Sequence, residues 1–319
     1  MIPVFGHLFG EEIPAYFAML TCAFLACTWF AVRWAKRLGR DHELMIDLSL
    51  YSVITGVAGA RLAHVLLDGQ LFDGINYVGL CFDHANVGWE IPEWQCTSEW
   101  VQGIWDAEAN VCRPAEADCF AWLRFWQGGL TWYGGMIGGV GWGLYFLRKE
   151  GFPYLEAIDL GGNILPLGLY FGRLGCWFGG CCFGLVHEPT WYTVSFPPGS
   201  PASESQWRAG LLDDSLAPSL EVIPAQLLEA GGSLLIAFFV IGWFHPRKRF
   251  TGEVGLVSLG LYALLRFLLE FLRADDRGGM LNLATSQWLS LVFFGVIAAA
   301  WPALRTRSER ERARLLAAA

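Results

Sequence analysis

The sequence predicts an all-α polytopic membrane protein with seven transmembrane helices, its N-terminus outside and its C-terminus cytoplasmic. Of the 319 residues, 54% are hydrophobic and only 16% are charged, and the mean hydropathy is +0.39. Soluble domains carry about 25% charged residues, so this composition excludes a purely soluble enzyme and a disordered chain. Domains that bind nucleic acid usually carry a basic patch, so the formal net charge of −8 argues against nucleic acid as a partner.

Seven mostly apolar stretches are long enough to cross a bilayer, which takes about 20 residues. They cover residues 13–34, 44–67, 129–147, 157–178, 222–244, 253–272 and 284–304. Several contain charges and many contain glycine, as is typical of helices packed in a bundle. No Lys or Arg precedes the first stretch, so we do not expect a signal peptide there. Residues 1–304 are expected to form one membrane domain.

Basic residues predict the orientation, because cytoplasmic loops of membrane proteins carry an excess of Lys and Arg. Fourteen of the 22 Lys and Arg residues fall on one side of the predicted spans, within 33–40, 148–149, 247–249 and 305–314. That side is therefore expected to be cytoplasmic. Residues 305–319 are then expected to be a basic cytoplasmic tail that forms a short helix at the anionic membrane surface, without a catalytic role.

Two long loops are expected outside, at 68–126 and 180–221. The first carries ten acidic residues against two arginines. It also holds four cysteines: Cys81, Cys96, Cys112 and Cys119. Cysteines in an oxidising compartment most often form disulfides, and four cysteines allow three pairings. A zinc site is the alternative, although no paired C-x-x-C spacing supports it. The second loop is rich in Pro, Ser and Gly and is expected to form a cap.

Four charged side chains fall inside or at the ends of predicted spans. They are Arg61, Arg173, Arg266 and Glu270. A charge at the bilayer centre costs about 2.5–3.5 kcal/mol, so each needs a partner, a polar cavity or a function. One interpretation is an anion-binding cavity open to the outer leaflet, since guanidinium groups bind phosphate bidentately. Arg173 favours it, because glycines rather than an acid flank it. The other interpretation is structural pairing, such as Arg266 with Glu270.

Further polar residues lie near these charges. Arg266, Glu270 and Arg273 have the spacing of residues that share one helix face. Gln226 and Glu229 lie three residues apart at the outer end of the fifth span. For Glu229 and Glu270, the sequence favours structural pairing and function equally.

Six short motifs occur in order along the chain. They are Gly59-Ala-Arg-Leu62, Gly128-Gly-Leu-Thr-Trp-Tyr-Gly-Gly-Met-Ile-Gly138, Pro166-Leu-Gly-Leu-Tyr-Phe-Gly-Arg-Leu-Gly175, Pro224-Ala-Gln-Leu-Leu-Glu229, Arg266-Phe-Leu-Leu-Glu-Phe-Leu-Arg273 and Gln287-Trp-Leu-Ser290. Together they resemble the prolipoprotein diacylglyceryl transferase family, and the resemblance runs from Tyr16 to Ser290. It implies a seven-span enzyme of the bacterial cytoplasmic (inner) membrane.

The resemblance also implies a reaction. A diacylglyceryl group moves from phosphatidylglycerol to the lipobox cysteine thiol of a preprolipoprotein signal peptide, and glycerol 1-phosphate leaves. Phosphatidylglycerol, that signal peptide and the lipid bilayer are the expected partners, and neither a cofactor nor a metal is expected.

Site residues follow from the matching motif positions. Arg173 matches the arginine with which the family contacts phosphatidylglycerol. Arg173 and Arg266 are expected to hold the phosphate and stabilise the leaving group, with Arg61 as a weaker third. The other expected substrate-binding residues are Gln226, Glu229, Glu270 and Arg273.

The catalytic base is left open by departures from the family pattern. Tyr133 stands where the family carries a histidine, and it is expected to contact the reacting centre, although a phenol is a poor base at neutral pH. Ile223 replaces the histidine that usually precedes Pro-x-Gln. We expect His64, three residues after Arg61 on the same helix face, to act as the base. His187 in the cap loop is the second candidate.

Cysteines mark a further departure after Arg173. Cys176 and Cys181 stand where the family signature has an asparagine and a glutamate, and Cys182 follows. The interpretations, in order of preference, are a disulfide, a reactive thiol pair, and a metal site completed by His187. Two cysteines of the first span are expected to be buried packing residues: Cys22 and Cys27.

Three other functions remain open on the sequence alone. A membrane thiol–disulfide oxidoreductase would use Cys181 or Cys182, but it leaves the arginines unexplained. A non-catalytic relative that binds lipid or lipoprotein signal peptides would explain the loss of two histidines. A transporter is disfavoured, because the charges cluster towards one side of the membrane and no internal repeat is evident.

Overall fold

The computed structural model describes residues 4–8, 11–68, 77–89, 93–97, 103–123, 130–273, 279–280 and 283–318. Over these residues the chain is mostly helical. It divides into two compact units. Met1–Met45 and Phe152–Ala319 form the first, and Ile46–Gly151 form the second.

Helix covers each of the seven apolar stretches, and short helices lie between them. In chain order the α-helices are α1 (Ala15–Arg37), α2 (Glu43–Ala63), α3 (Tyr77–Phe82), α4 (Glu93–Cys96), α5 (Trp132–Lys149), α6 (Tyr154–Gly179), α7 (Pro201–Arg208), α8 (Ala225–Phe238), α9 (Glu253–Leu269) and α10 (Thr285–Ala318). One turn of π-helix extends α2 (His64–Asp68), and another extends α8 (Phe239–Phe244).

Five helical segments in the described part of the chain are long and apolar enough to cross a membrane. They are Ala15–Arg37, Glu43–Leu67, Ala225–Arg247, Glu253–Leu272 and Thr285–Arg310. Helices α5 and α6 cover two further predicted spans, but they are less apolar than these five segments. Glycine, whose side chain adds no apolar surface, is frequent in α5, and α6 carries Glu156, Asp159 and Arg173. The chain is therefore a polytopic α-helical membrane protein.

Short β-hairpins precede or interrupt the helices, and the sequence analysis did not predict them. The strands are β1 (Val4–Leu8), β2 (Glu11–Pro14), β3 (Gly103–Asp106), β4 (Val111–Pro114), β5 (Gly279–Met280) and β6 (Leu283–Ala284). Each consecutive pair is antiparallel. The basic segment after residue 304 is helical, as the sequence predicted, and it continues α10 without a break.

Helix α6 lies at the centre of the first unit, where it packs against α1, α8 and α9. Its crossing with α9 depends on glycine, because a Cβ on Gly162 would lie 2.7 Å from the Cα of Gly255. At its C-terminus, Gly180 adopts the left-handed conformation (φ +70°) that commonly terminates a helix. The chain therefore leaves α6 within about two turns of Arg173 and Cys176.

Close glycine contacts also join α2 and α5 in the second unit. A Cβ on Gly59 would lie 3.2 Å from the Cα of Gly138, and one on Gly134 or Gly138 would overlap the Gly59 or Thr55 carbonyl oxygen. These contacts show a packing role for glycines of the third predicted span.

Two disulfides cross-link the loop region of the second unit, as the sequence predicted. They identify which of the three possible pairings of the four cysteines occurs. Cys81 is bonded to Cys119, and Cys96 to Cys112. In the β3–β4 hairpin, the Asp106 carboxylate accepts hydrogen bonds from the Ala109 amide (3.1 Å) and from Arg113 (2.8 Å). These donors lower the pKa of Asp106 below its ordinary value.

Candidate functional site

A buried group of charged side chains lies where α6, α8 and α9 meet. Its centre is the Glu229 carboxylate on α8, only 1% exposed. The Oε1 atom lies 3.0 Å from Arg173 Nη2 on α6 and accepts a hydrogen bond of 3.0 Å from the Tyr262 hydroxyl on α9. The Oε2 atom lies 3.8 Å from Arg273 Nη1. One carboxylate therefore orients two guanidinium groups and a phenol.

A second ion pair continues this group along α9. Arg266 and Glu270 lie one turn apart, with Arg266 Nη2 2.5 Å from Glu270 Oε2. Both side chains are almost fully buried, and Arg266 Nη1 has no hydrogen-bond partner among the described residues. The structural pairing considered for these two residues is confirmed. We call Arg173, Glu229, Arg266, Glu270 and Arg273 the outer cluster, after the side of the membrane on which the sequence predicts them.

Arg273 reaches the outer cluster from a position that the sequence did not predict. Helix α9 ends at Leu269, a single 3₁₀ turn covers Glu270–Leu272, and Arg273 is extended (φ −95°, ψ 145°). The expectation that Arg266, Glu270 and Arg273 share a helix face is therefore wrong for Arg273. Its backbone instead forms a β-bridge with Gly184. A Cβ at Gly184 would lie 2.6 Å from the Leu272 carbonyl oxygen, so this contact requires glycine.

The charges of the outer cluster do not balance. Three arginines face two glutamates, so these five side chains carry a net charge of +1. The glycines that flank Arg173 along the chain did not reveal its acidic partner, because Glu229 lies 56 residues later in the sequence but adjacent in the fold. Pairing orients the arginines, and the excess positive charge leaves them able to bind an anion.

Gln226 connects the outer cluster to the cysteine turn that follows α6. Its Nε2 donates a hydrogen bond of 2.8 Å to the Cys181 carbonyl oxygen. The side chain is fully buried, and its Oε1 has no hydrogen-bond partner within the described residues. The motif that contains Gln226 and Glu229 thus positions both the arginines and the cysteine turn.

The three cysteines after Arg173 form a compact group, which we call the thiol triangle. The sulfur atoms of Cys176, Cys181 and Cys182 all lie within 4.8 Å of one another, and none belongs to a disulfide. The preferred disulfide interpretation is therefore wrong. His187 is not part of this group. It lies exposed in the cap region, with Nδ1 3.0 Å from the Glu188 carbonyl oxygen.

Electrostatics within the thiol triangle single out Cys182. Hydrogen bonds from the Cys176 and Cys181 thiols lower the pKa of Cys182 below its ordinary value, and the nearby Arg173 and Arg273 guanidinium groups lower it further. Cys182 also has a positive φ of 60°, which is uncommon for a residue other than glycine.

The two cysteines of α1 lie outside the thiol triangle. Cys22 is exposed, contrary to expectation, and Cys27 is half-buried.

Three predicted site residues lie in the second unit. Arg61 donates hydrogen bonds to the Trp122 (2.8 Å) and Ala121 (2.7 Å) carbonyl oxygens. Its guanidinium also lies 5.5 Å from the Tyr77 ring centroid. His64 begins the π-helical turn, is 6% exposed and contacts the same Tyr77 ring edge-on. Tyr133 lies near the start of α5 and is 63% exposed.

Sequence reasoning missed Tyr262, which donates to Glu229. Its position four residues before Arg266 places it one turn away on the same face of α9, and this spacing could have identified it.

Gln287, which belongs to the last of the six motifs, has a structural role. Gln287 is buried, accepts a hydrogen bond of 3.0 Å from the Ala284 amide and donates one to the Phe267 carbonyl oxygen.

Fold and site together define a polytopic membrane protein with a buried, net positive cluster between its helices. The family model of prolipoprotein diacylglyceryl transferase matches residues 3–104 and 111–302. The chain therefore belongs to the prolipoprotein diacylglyceryl transferase family, which confirms the resemblance found in the sequence.

Individual relatives agree with this assignment. The phosphatidylglycerol–prolipoprotein diacylglyceryl transferase of Clostridium tetani is 25% identical over 292 residues, 91% of this chain and 93% of that protein. The enzyme of the same name from Thermotoga maritima is 27% identical over 307 residues, covering 95% and 85%. The one from Neisseria meningitidis serogroup B is 32% identical over 187 residues, covering 55% and 65%.

Proposed function

We propose that this chain transfers the diacylglyceryl group of phosphatidylglycerol to the lipobox cysteine thiol of a prolipoprotein signal peptide. Family membership supports the reaction class and both substrates. The observation that carries the proposal is the outer cluster, in which buried arginines held by Glu229 retain a net charge of +1. A phospholipid phosphate is the anion that a membrane presents to such a cluster.

The proposed topology is seven spans in the bacterial cytoplasmic membrane, with the N-terminus outside. Helices α6 and α9 then end at the outer surface, and α8 begins there. Arg173 lies near the end of α6, Glu229 near the start of α8, and Arg266 near the end of α9. All three chain positions agree with a cluster at the level of the outer head groups, where a signal peptide exposes its lipobox cysteine.

The arginines have two tasks in this reaction. They bind the phosphodiester of phosphatidylglycerol, and they stabilise the charge that develops as glycerol 1-phosphate leaves. The substrate sulfur forms a bond to the terminal glycerol carbon of the diacylglyceryl group, and the bond from that carbon to the phosphate oxygen breaks. The phosphate oxygen keeps the electron pair. Fixed guanidinium donors are effective here because they need no reorganisation as the charge grows.

Arg61 and Tyr133 enter the proposal through their motifs, and His64 enters it through its position three residues after Arg61. His64 is proposed as the base for the substrate thiol, and the test is a His64→Ala variant assayed at equal protein level. Unchanged lipid modification would remove His64 from the mechanism.

The central test is a reconstituted assay with phosphatidylglycerol vesicles and a lipobox peptide. We expect thioether product from the wild type, and a loss of about 10²–10³-fold for Arg173→Ala because one donor to the developing charge is removed. The matched control is Arg208→Ala, which removes an exposed arginine that pairs with Glu204 on α7. This variant should retain wild-type activity.

Three outcomes would contradict the proposal. Arg173→Ala with activity within a few-fold of wild type would separate the outer cluster from catalysis. A wild-type protein that binds phosphatidylglycerol but forms no thioether would be a non-catalytic relative. A protein that exchanges disulfides but forms no thioether would be the oxidoreductase alternative.

A further inference from the structure

We propose that the thiol triangle of Cys176, Cys181 and Cys182 binds one zinc ion, and that the substrate lipobox thiol occupies the fourth position on the metal. This inference rests on the proposed function and deepens it, because it assigns activation of the nucleophile to a metal in place of the base proposed at His64. It also reverses the sequence expectation that no metal is involved, and it needs no contribution from His187.

The geometry of the triangle fits a zinc ion. Its three sulfur atoms lie within 4.8 Å of one another. A tetrahedral zinc site has Zn–S bonds of about 2.3 Å, which places its sulfurs about 3.8 Å apart. Movements of about 1 Å or less therefore close the triangle around the metal. Side-chain rotation alone provides movements of this size.

The backbone organises the triangle before any metal binds. Cys176 lies in the last turn of α6, and Gly180 reverses the chain after it. The Cys181 amide then donates a hydrogen bond of 3.1 Å to the Cys176 carbonyl oxygen. Gln226 holds the Cys181 carbonyl oxygen from the opposite side, at 2.8 Å. Ligands fixed in this way bind a metal with little loss of conformational entropy.

The charges around the triangle also fit. Three thiolates and one Zn²⁺ carry a net charge of −1. Arg173 and Arg273 interact electrostatically with Cys182, and together with Glu229 they carry a net charge of +1. The guanidinium groups already present would therefore lower the electrostatic cost of a zinc-loaded triangle. An anionic metal site buried without such neighbours would be costly.

The coordination number leaves room for a substrate. Among the described residues, the group of possible ligand atoms contains these three cysteines and no additional His, Asp or Glu. Structural zinc sites have four protein ligands, whereas catalytic sites have three and an open position. All three cysteines are also only half-buried. The open position would therefore be accessible to a thiol.

The redox setting supports a bound metal. In the proposed topology the triangle faces the same oxidising side as Cys81–Cys119 and Cys96–Cys112, which are disulfides. Three adjacent thiols are prone to oxidation in such a compartment, and none of these three belongs to a disulfide in the structure. Coordination to zinc is a redox-inert means of keeping them so.

Zinc would supply the activation that this chain lacks at Tyr133. The lipobox thiol binds the metal as a thiolate, and its proton passes to water, because coordination by zinc deprotonates a thiol. The zinc-bound sulfur then forms its bond to the terminal glycerol carbon of phosphatidylglycerol. The carbon–oxygen bond to the phosphate breaks, glycerol 1-phosphate leaves with that electron pair, and the thioether product dissociates from the metal.

The first experiment measures metal binding without activity. The full-length protein is purified in detergent with zinc present, and metal content is measured by mass spectrometry. We expect one zinc per chain for the wild type and for the control Cys22→Ser, which changes an exposed cysteine of α1. Cys181→Ser and Cys182→Ser should lose the metal. Zinc content unchanged in both variants would overturn the proposal.

The second experiment identifies the fourth ligand. X-ray absorption of the zinc-loaded protein should show three sulfurs at about 2.3 Å. Adding a lipobox peptide should raise this number to four, whereas the same peptide with serine in place of cysteine should not. A sulfur number that stays at three with the cysteine peptide would exclude substrate coordination.

Activity separates this inference from the proposed function. If both hold, chelation should reduce thioether formation by at least about 100-fold, and zinc should restore it. Full activity without metal would overturn the inference and leave the proposed function intact. A zinc-loaded protein that binds the peptide sulfur but forms no thioether would overturn the proposed function instead.

Discussion

Helix α6 carries one buried charge towards each end, and the two ends differ in a way that separates structure from function. Asp159 and Arg173 are 14 residues apart, or about 21 Å along the helix. Both belong to the first unit, and both contact an oppositely charged side chain from elsewhere in the sequence. The surroundings of the two charges are otherwise different.

Every oxygen of the Asp159 carboxylate is satisfied. Its Oδ1 accepts the backbone amides of Val254 (3.0 Å) and Gly255 (3.4 Å) at the start of α9. Its Oδ2 accepts a hydrogen bond of 2.7 Å from Lys248. An acid at a helix N-terminus is favourable because the terminal amides lack helical partners. This end of α6 is a structural cap that joins two helices.

The Arg173 end is organised but not neutral. Glu229 orients two arginines, yet the outer cluster has a net charge of +1, and Arg266 Nη1 and Gln226 Oε1 have no hydrogen-bond partner in the described part of the chain. Buried polar atoms are normally satisfied. The comparison teaches that a buried ion pair alone does not indicate a binding site, whereas residual charge beside unsatisfied polar atoms makes a group of side chains a candidate for one.

We expect the largest effect from Glu229→Gln, which tests whether the Arg173 end of α6 is functional rather than structural. The amide has nearly the same shape but no charge, so it cannot hold Arg173 and Arg273 together. We expect turnover to fall by about 10²-fold, the lower end of the loss for one misplaced donor. The KM for phosphatidylglycerol should not rise, because the positive charge increases. A loss of thermal stability with unchanged turnover per folded molecule would instead assign Glu229 a structural role.

Asp159→Asn tests the opposite end and should give the opposite result. The amide cannot accept from all three donors, so we expect the unfolding free energy to fall by about 2 kcal/mol. Turnover per folded molecule should not change. The measurements are the thermal unfolding midpoint in detergent and the transferase assay on the same sample. Reduced turnover in a fully folded sample would contradict the division between the two ends.

Tyr262→Phe should have the smallest effect. It removes one hydrogen bond to Glu229 and leaves both arginine contacts in place. We expect a change of about 1 kcal/mol, which corresponds to a loss of a few-fold in turnover. The control is Tyr154→Phe, an exposed tyrosine at the start of α6. A loss as large as that of Glu229→Gln would show that Tyr262 contacts the reacting groups directly.

The helices could be predicted from the sequence because their apolar stretches are long. Long apolar or periodic segments give the strongest signal for secondary structure in a sequence. The sequence did not predict the β-hairpins before α1 and between α3 and α5. Their strands have at most five residues, and such short segments carry little hydrophobic pattern. It also placed Arg273 on α9, because nothing in the spacing shows that the helix ends at Leu269.

The members of the candidate site were predictable, but their contacts were not. Arg173, Arg266 and Glu229 were identified from the cost of charge in lipid and from motif positions. The pairing of Arg173 with Glu229 depends on how α6 packs against α8, which local sequence does not encode. The same holds for the thiol triangle, since its three sulfur atoms come together through the turn at Gly180, which local sequence does not reveal.

The disulfides between α3 and α5 tie the biogenesis of this protein to the supply of oxidant in its compartment. The Cys96–Cys112 bridge spans 16 residues, and a cross-link of that length is worth about 3 kcal/mol. A cell that cannot oxidise thiols would still insert the hydrophobic helices, but this region would be weakened and exposed to proteases. Redox stress would thus limit the amount of mature protein without touching the residues that we propose to bind lipid.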